Sequence, residues 1–560
     1  MNVAAHIASF LFHIAPCCLS SKVRSVETNL AGSRFKAAEP LVWEAPGNQR
    51  YSKDTTILMV NRSKVFQSIM GFGSAFTETA AFNYHMLSNS SQVKLVDALW
   101  APPPLGNGFT MGRLHMNSAD YSLSSYALDE VEGDYELEHF DDNLTRDSRY
   151  VLPLARAARQ ASGDASSLKL FFSPWSPPAW LKKNNNMSNT IYPNGLLPGI
   201  KAHKTWANYF VRFARALKAA GVPVWGATLQ NEPLVNMSQT VHVYESCAWT
   251  AEAQSEFLAL VGEALAMDPD PVVRSLQLFG WDWNRKNMAA WTKILLSGRG
   301  GRYLAGVTHH WYAWKTSLQL ADIEALPEGI VSFGAEASLI KHGVVRRLST
   351  NSSIPAIWGQ FLDTDGARAK KAILPGKESV RYTFAVGELY LLDMLGTLRA
   401  GSSAWVDWNA FLSYGGGPNH INRTDIGAPV IVDPPTDSIF LQSPYYYMGH
   451  LSRFVRPGSR RVACGGTGIA HSAEEHDGVK DFIEPQVEED GKAPGGSVPL
   501  VAGCFIDASS KEIAVIVMNV NEVGVEFTLT DEQLGSVTVT LDRHSVRTFQ
   551  YALPSSTVYV

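Results

Sequence analysis

The stretch Val224-Trp225-Gly226-Ala227-Thr228-Leu229-Gln230-Asn231-Glu232-Pro233 is an apolar run of strand character that stops one residue past a carboxylate. Proline has no N–H to donate, so it ends a ladder where it stands. A second run, Gly329-Ile330-Val331-Ser332-Phe333-Gly334-Ala335, ends in the same way at Glu336. Six more runs share this character: Ile69–Phe76, Phe109–Leu114, Leu168–Phe172, Leu276–Trp281, Ala305–His310 and Ser402–Trp408. Such short apolar runs suit strands buried on both faces, as in a parallel sheet. Helical patterns lie between most of them. Thr205–Ala220 is one, with Trp206, Tyr209, Phe210, Phe213 and Leu217 on one face and Gly221 and Pro223 to stop it. Strand alternating with helix eight times predicts an α/β fold, a (β/α)8 TIM barrel over residues 66–440. The connections Ser173–Lys204 and Ile340–Val380 are long enough to wall a cleft at its C-terminal face.

After Ser443 helical periodicity fades. Short alternating runs follow at Glu512–Asn519, Val525–Thr530, Ser536–Leu541 and Val546–Tyr551, which predict an antiparallel β-sandwich over 441–560. Ile57–Val65 alternates similarly, so residues 22–65 are expected to add strands to it. Glu474–Gly496 is acidic and reads as a solvated loop. The net charge of −5 and pI near 6.3 offer no basic field for nucleic acid. Residues 1–21 carry an apolar stretch resembling a cleavable signal, without a preceding Lys or Arg. Seven Asn-X-Ser/Thr sequons begin at Asn61, Asn89, Asn143, Asn186, Asn236, Asn351 and Asn422 and also point to the secretory pathway. Five cysteines are too few for a disulfide scaffold. Cys464 and Cys504 share the β-rich region, but the spacing does not fix their pairing.

Catalytic groups of such a barrel sit at the C-terminal ends of its strands. Glu232 and Glu336 there are the pair that glycoside cleavage needs, one to protonate the leaving oxygen and one to attack the anomeric carbon. The alternative is that each caps a strand or pairs with an arginine. Glu232 is assigned as acid/base, its pKa expected to be raised by burial and a neighbouring carboxylate, and Glu336 as nucleophile. Asn231 is placed to donate to a sugar 2-hydroxyl. Arg113 is placed to bridge a glutamate, or to form a purely structural ion pair. Asp120 follows it in a loop. Trp175 and Trp180 read as sugar-stacking or packing residues, and His310 and Tyr312 as orienting the nucleophile. His309-His310 has no third ligand at a recognisable spacing, so neither a metal nor another cofactor is expected. Asp407, Trp408 and Asn409 end the eighth strand and are assigned to sugar binding. Glu78 and Asp282 are strand-end carboxylates without a defined role.

Taken together, the ordered segments GFGSAFTETAAFN from Gly71, SPWSPPAWLK from Ser173, NEP from Asn231, HHWY from His309, GAEAS from Gly334 and WVDWN from Trp405 resemble the glucosylceramidases of glycoside hydrolase family 30. GGPN from Gly416, PVIVD from Pro429 and YYMGHLSRFVRPGSRRV from Tyr446 continue the resemblance, which spans about Phe66 to Phe549. It implies a retaining β-glucosidase acting on glucosylceramide, lysosomal or extracellular. Peripheral contact with a membrane surface and a saposin-like activator are also implied. The acid/base falls on Glu232 and the nucleophile on Glu336. Glucose-binding positions fall on Arg113, Asp120, Trp175, Asn231 and Trp408, with His310 and Tyr312 beside the nucleophile. Three departures bear on the aglycone rather than the chemistry. The cysteine-rich N-terminus of animal members is absent, 340–380 is long, and Ser338 stands where animal enzymes carry cysteine. A β-1,6-glucanase or β-xylosidase of the same family is the nearest alternative, and a non-catalytic glycan- or lipid-binding barrel the more distant one.

Overall fold

The structure, a computed structural model, describes residues 22–45, 55–164, 166–235, 243–312, 316–338, 377–413, 416–423, 426–472, 475–480, 483, 496–507 and 509–553. The expected signal segment and nearly all of the long 340–380 connection lie outside these residues.

Eight parallel strands close into a barrel. In chain order they are Gly71–Ala75, Met111–Met116, Lys169–Pro174, Gly226–Thr228, Gln277–Asn284, Leu304–His310, Val331–Glu336 and Ala404–Asp407. Each corresponds to one of the eight apolar runs. Met111, Phe171, Phe279, Phe333, Ala335, Ala404 and Val406 fill the barrel interior as one buried cluster. A β-strand alternates its side chains, so the neighbours of these residues face the surrounding helices. The helix Ile200–Ala219 buries Trp206, Tyr209, Phe210, Phe213 and Leu217. It ends as its sequence requires: Gly221 adopts φ +78°, and the Val222 N–H reaches the Leu217 carbonyl at 2.9 Å.

The chain also remains helical beyond Ser443, where helical periodicity reads as fading. Ser443–Ser452 is a fully buried ten-residue helix, which packs on the helix Lys377–Ala400 and on the first barrel strand. Its Ser-Pro-Tyr-Tyr-Tyr start holds no polar face, so no amphipathic signal marks it. Part of the acidic 474–496 stretch is likewise not a loop: residues 475–480 are helical and bury Val479.

The remaining β structure is a small three-stranded sheet of Leu412–Ser413, Val430–Asp433 and Ser438–Leu441, and a ten-stranded sheet. Val23–Asn29, Lys36–Leu41 and Thr56–Ser68 join strands from Arg460–Gly465 onward. Most pairings are antiparallel, but Thr56–Ser68 pairs parallel with Val525–Asp531. Val23 at one end of the sheet and Val539 at the other share one core with Leu58, Val515 and Phe549. The sheet therefore folds over on itself as a sandwich does. Cys464 and Cys504 form a disulfide across two of its strands.

Candidate active site

Glu232 follows the fourth strand and Glu336 ends the seventh, and their side chains meet over the C-terminal mouth of the barrel. A carboxylate oxygen of each and a ring nitrogen of His310 lie within 4.8 Å of one another. Carboxyl groups about 5–5.5 Å apart suit a double displacement, whereas about 6.5–9.5 Å leaves room for the water of an inverting reaction. Both glutamates are 7 % exposed, so each reaches the cleft without being solvated. Glu232 has φ +50°, an uncommon left-handed conformation for glutamate. Pro233 follows it directly, and the Glu232 N–H is tied to the Asp282 carbonyl at 2.9 Å. The turn is held from both sides.

Arg113, fully buried, organises the floor. It donates to Ser173 Oγ at 3.0 Å, to Asn231 Oδ1 and Asp282 Oδ2 at 2.9 Å each, and through Nη1 to Glu336 Oε2. Its guanidinium lies 4.7 Å from the Trp175 ring and 5.6 Å from that of Trp408. Those two indoles stack at 4.9 Å. Arg113 thus spends its donors on Glu336 and its neighbours. Tyr312 donates to the other oxygen of Glu336 at 2.9 Å.

Asp282 is the hub of this network. It accepts from Arg113, from Thr228 Oγ1 at 2.6 Å, from Thr308 Oγ1 at 2.9 Å and from His310 Nε2 at 3.1 Å. Burial opposes its charge, but Arg113 and His310 outweigh that and hold its pKa below the usual carboxylate range. His310 is correspondingly pushed up: burial works against the cation, while Glu336, Asp282 and Glu232 together raise its pKa to about 9. Nε2 faces Asp282, and Nδ1 stands 3.4 Å from Glu232. A protonated imidazole beside a guanidinium repels a cation, so Glu232, His310 and Glu336 do not suit a metal despite their proximity.

Asp120 is buried and receives Arg423 Nη1 at 3.3 Å. Burial raises its pKa, Arg423 opposes the rise, and Glu336 and Glu232 add to it, leaving it at about 7. Asn231 and Trp408 line the same floor.

Other assigned residues do not join them. Asp407 alternates with the inward Ala404 and Val406 and so faces outward, buried beside Tyr390 of the helix Lys377–Ala400. Burial raises its pKa well above the ordinary value. It does not meet the sugar-binding expectation. Asn409 accepts through Oδ1 at 2.6 Å from Thr77, which caps the helix Glu78–His85, and its Nδ2 has no hydrogen-bond partner among the described residues. His309 also points outward, between Ser402 Oγ and Arg285. Trp180 packs edge-on against Tyr135, and Glu78 binds Arg146.

Sequence reasoning missed Tyr244, whose hydroxyl donates to Glu232 Oε2 at 2.6 Å, and Arg423. Both sit in loops whose positions are set by distant contacts, and no spacing rule marks them. Asp282 was marked as a strand-end carboxylate, but its role rests on Arg113 and His310, which come from two other strands.

Residues 69–346 and 365–455 match the glycosyl hydrolase family 30 TIM-barrel domain. The chain is 28 % identical to the lysosomal acid glucosylceramidase of Mus musculus over 499 residues, 88 % of this chain and 83 % of that protein. It is 28 % identical to an endo-1,6-beta-D-glucanase of Neurospora crassa over 255 residues, 44 % of this chain and 48 % of that one. The crystal structure of SrfJ from salmonella typhimurium superposes with a TM-score of 0.74 at 19 % identity, covering 95 % of this chain and all of that one. With two carboxylates facing across a barrel mouth and this match over most of its length, the chain is a glycosidase and belongs to glycosyl hydrolase family 30.

Proposed function

We propose that the protein is a retaining β-glucosidase that hydrolyses glucosylceramide to glucose and ceramide. The observation that carries the retaining chemistry is the separation of the carboxylate oxygens of Glu232 and Glu336, within 4.8 Å. Glu336 attacks the anomeric carbon while Glu232 gives its proton to the glycosidic oxygen, which leaves as the alcohol. The sugar is then an ester of Glu336. Glu232 next takes a proton from water, whose oxygen displaces Glu336 and restores both carboxyls. Tyr312 and Arg113 hold the attacking carboxylate, and Tyr244 and His310 hold the acid. Asn231 has its carbonyl committed to Arg113, which leaves its amide N–H group for the sugar 2-hydroxyl. Trp175, Trp408 and Asp120 form the sugar floor.

The ceramide aglycone is supported by the mouse relative's name and by the length of the match to it. Such a substrate brings the enzyme to a membrane surface and suits a saposin-like activator. Secretory passage to a lysosome or the exterior is supported by the disulfide and by the exposure of Asn61, Asn89, Asn143, Asn186 and Asn422. The glucanase relative favours cleavage of β-1,6-glucan as the second reading.

Side-by-side assays on glucosylceramide, β-1,6-glucan and xylobiose decide the substrate. Glucanase or xylosidase turnover without release of ceramide overturns the lipid assignment. A 2-deoxy-2-fluoroglucoside is expected to label Glu336, as read by peptide mapping. Label on any other residue removes the mechanism.

A further inference from the structure

A cavity lies at the opposite end of the barrel from the glutamates. The helix Lys377–Ala400 ends there, and Gln67, just before the first strand, donates to the Leu398 and Ser402 carbonyls at 2.6 and 2.8 Å. These residues lead directly into the N-terminal ends of the first and eighth strands. The cavity, of about 340 Å³, sits between this helix end and the sheet strands Arg460–Gly465 and Leu500–Asp507. Its cationic side chains are Lys64, Arg399 and Arg461, and its apolar wall includes Phe66, Leu398 and Phe505.

The charges are not matched. Arg399 Nη1 pairs with Glu324 at 3.4 Å, but its Nε and Nη2 are buried without a hydrogen-bond partner among the described residues. Arg461 lies 3.5 Å over the Phe66 ring, with Nε on the neutral Gln67 at 3.3 Å. Lys64 stands 5.6 Å from the same ring. His471 at the margin is mostly exposed and faces Glu475 at 3.3 Å. Among the described residues, three cations thus meet one directly paired carboxylate. Burial and the repulsion of Arg399 bring the Arg461 pKa down to about 10. Buried donors without acceptors are costly, and guanidinium groups fit phosphate oxygens in a forked geometry.

We propose that this junction cavity, formed by Lys64, Arg399 and Arg461 over Phe66, binds a phosphate-class oxyanion, free or as the monoester of a small apolar group. The anion lies against the open side of Arg399 and Arg461 and neutralises the pair. Because it bridges the last turn of a barrel helix and the sheet, binding ties the two together far from the catalytic glutamates.

The test uses the full-length protein, with inorganic phosphate and phenyl phosphate as probes in separate calorimetric titrations. Saturable one-to-one binding is expected. Phenyl phosphate binding more tightly assigns the site to monoesters, and equal affinity assigns it to the free ion. Affinity for the favoured probe is expected to fall about tenfold in Arg461→Gln, the loss of one charge-assisted contact. It should fall measurably in Lys64→Glu, an exposed position whose change leaves the fold and the turnover of an aryl glucoside intact. No saturable heat with either probe up to roughly 10 mM, a binding energy near 3 kcal/mol, overturns the proposal. So does unchanged affinity in Lys64→Glu, or binding that is abolished by Glu336→Gln instead.

Discussion

At the scale of single residues, direction matters as much as identity. His309 and His310 are adjacent and chemically alike, yet one packs between Ser402 and Arg285 and the other stands among three carboxylates. The period-two alternation of a strand makes that division, and it divides Asp407 from Trp408 in the same way. Asp407 is outward and buried, and burial raises its pKa, so an amide of the same shape replaces it at little cost. Asp407→Asn is expected to keep kcat/KM within about threefold, less than 1 kcal/mol of transition-state stabilisation. A loss of two orders of magnitude on an aryl glucoside would put Asp407 back in the cleft. Glu336→Gln is the opposite case. Losing the proposed nucleophile is expected to reduce kcat on the order of 10⁴-fold or more, with a thermal midpoint near that of the parent chain. Near-parental turnover in that variant would take the nucleophile's role from Glu336.

At the scale of elements, the third and fourth βα loops are tied by one ammonium group. Lys182 is 2 % exposed and donates to the carbonyls of Met187, Asn189 and Ser246 at 2.7–2.8 Å. Ser246 is two residues from Tyr244, so this knot fixes the tyrosine that touches Glu232. Lys182→Met leaves three acceptors with no donor, which costs about 2–4 kcal/mol. Urea titration should show that loss, and kcat/KM should fall by about tenfold as Tyr244 loosens. Full stability in the variant would show that the loops are pinned elsewhere. Nothing in the order Lys182…Tyr244 announces such a tie. The eight barrel strands were legible because each is an apolar run buried on both faces and cut off by a turn. Glu232 and Glu336 were legible because a barrel's geometry brings its strand ends to one mouth. Lys36–Leu41 was not, since its side chains are largely exposed and show no alternation. Ser443–Ser452 was not, because a helix buried all round has no stripe. Tyr244 and Arg423 reach the site through tertiary packing of loops, which local pattern does not encode.

At the scale of the whole molecule, the buried charges set how stability responds to pH. A group whose folded pKa lies above its unfolded value stabilises fully below the unfolded value, and loses that contribution as pH rises through the folded one. His310, raised to about 9, is such a group, losing its contribution from pH 6.5 upward. His420, raised mainly by Glu245 against the effect of burial, runs the same way. Asp120 and Asp147, each at about 7 chiefly through burial, have been losing theirs since roughly the ordinary carboxylate pKa. Below pH 6.5 an opposing set acts. Burial lowers the pKa values of His115, His309, His450 and His476, the last two to about 3 and 4. These hold stability that falls away as acid charges them. Asp282, with its depressed pKa, contributes above the unfolded carboxylate value and likewise loses ground in acid. Lys182, lowered to about 8 by burial, turns the balance back only above that pH. Between 6.5 and 8 the carboxyls, His310 and His420 therefore act together. The thermal midpoint is expected to drop across that interval, measured in buffers of constant ionic strength. His310→Gln removes the largest named contributor and should flatten the drop, whatever it does to the midpoint itself. A midpoint that climbs from pH 6.5 to 8, or a slope unchanged in His310→Gln, would mean that His310 does not carry its charge in the folded protein.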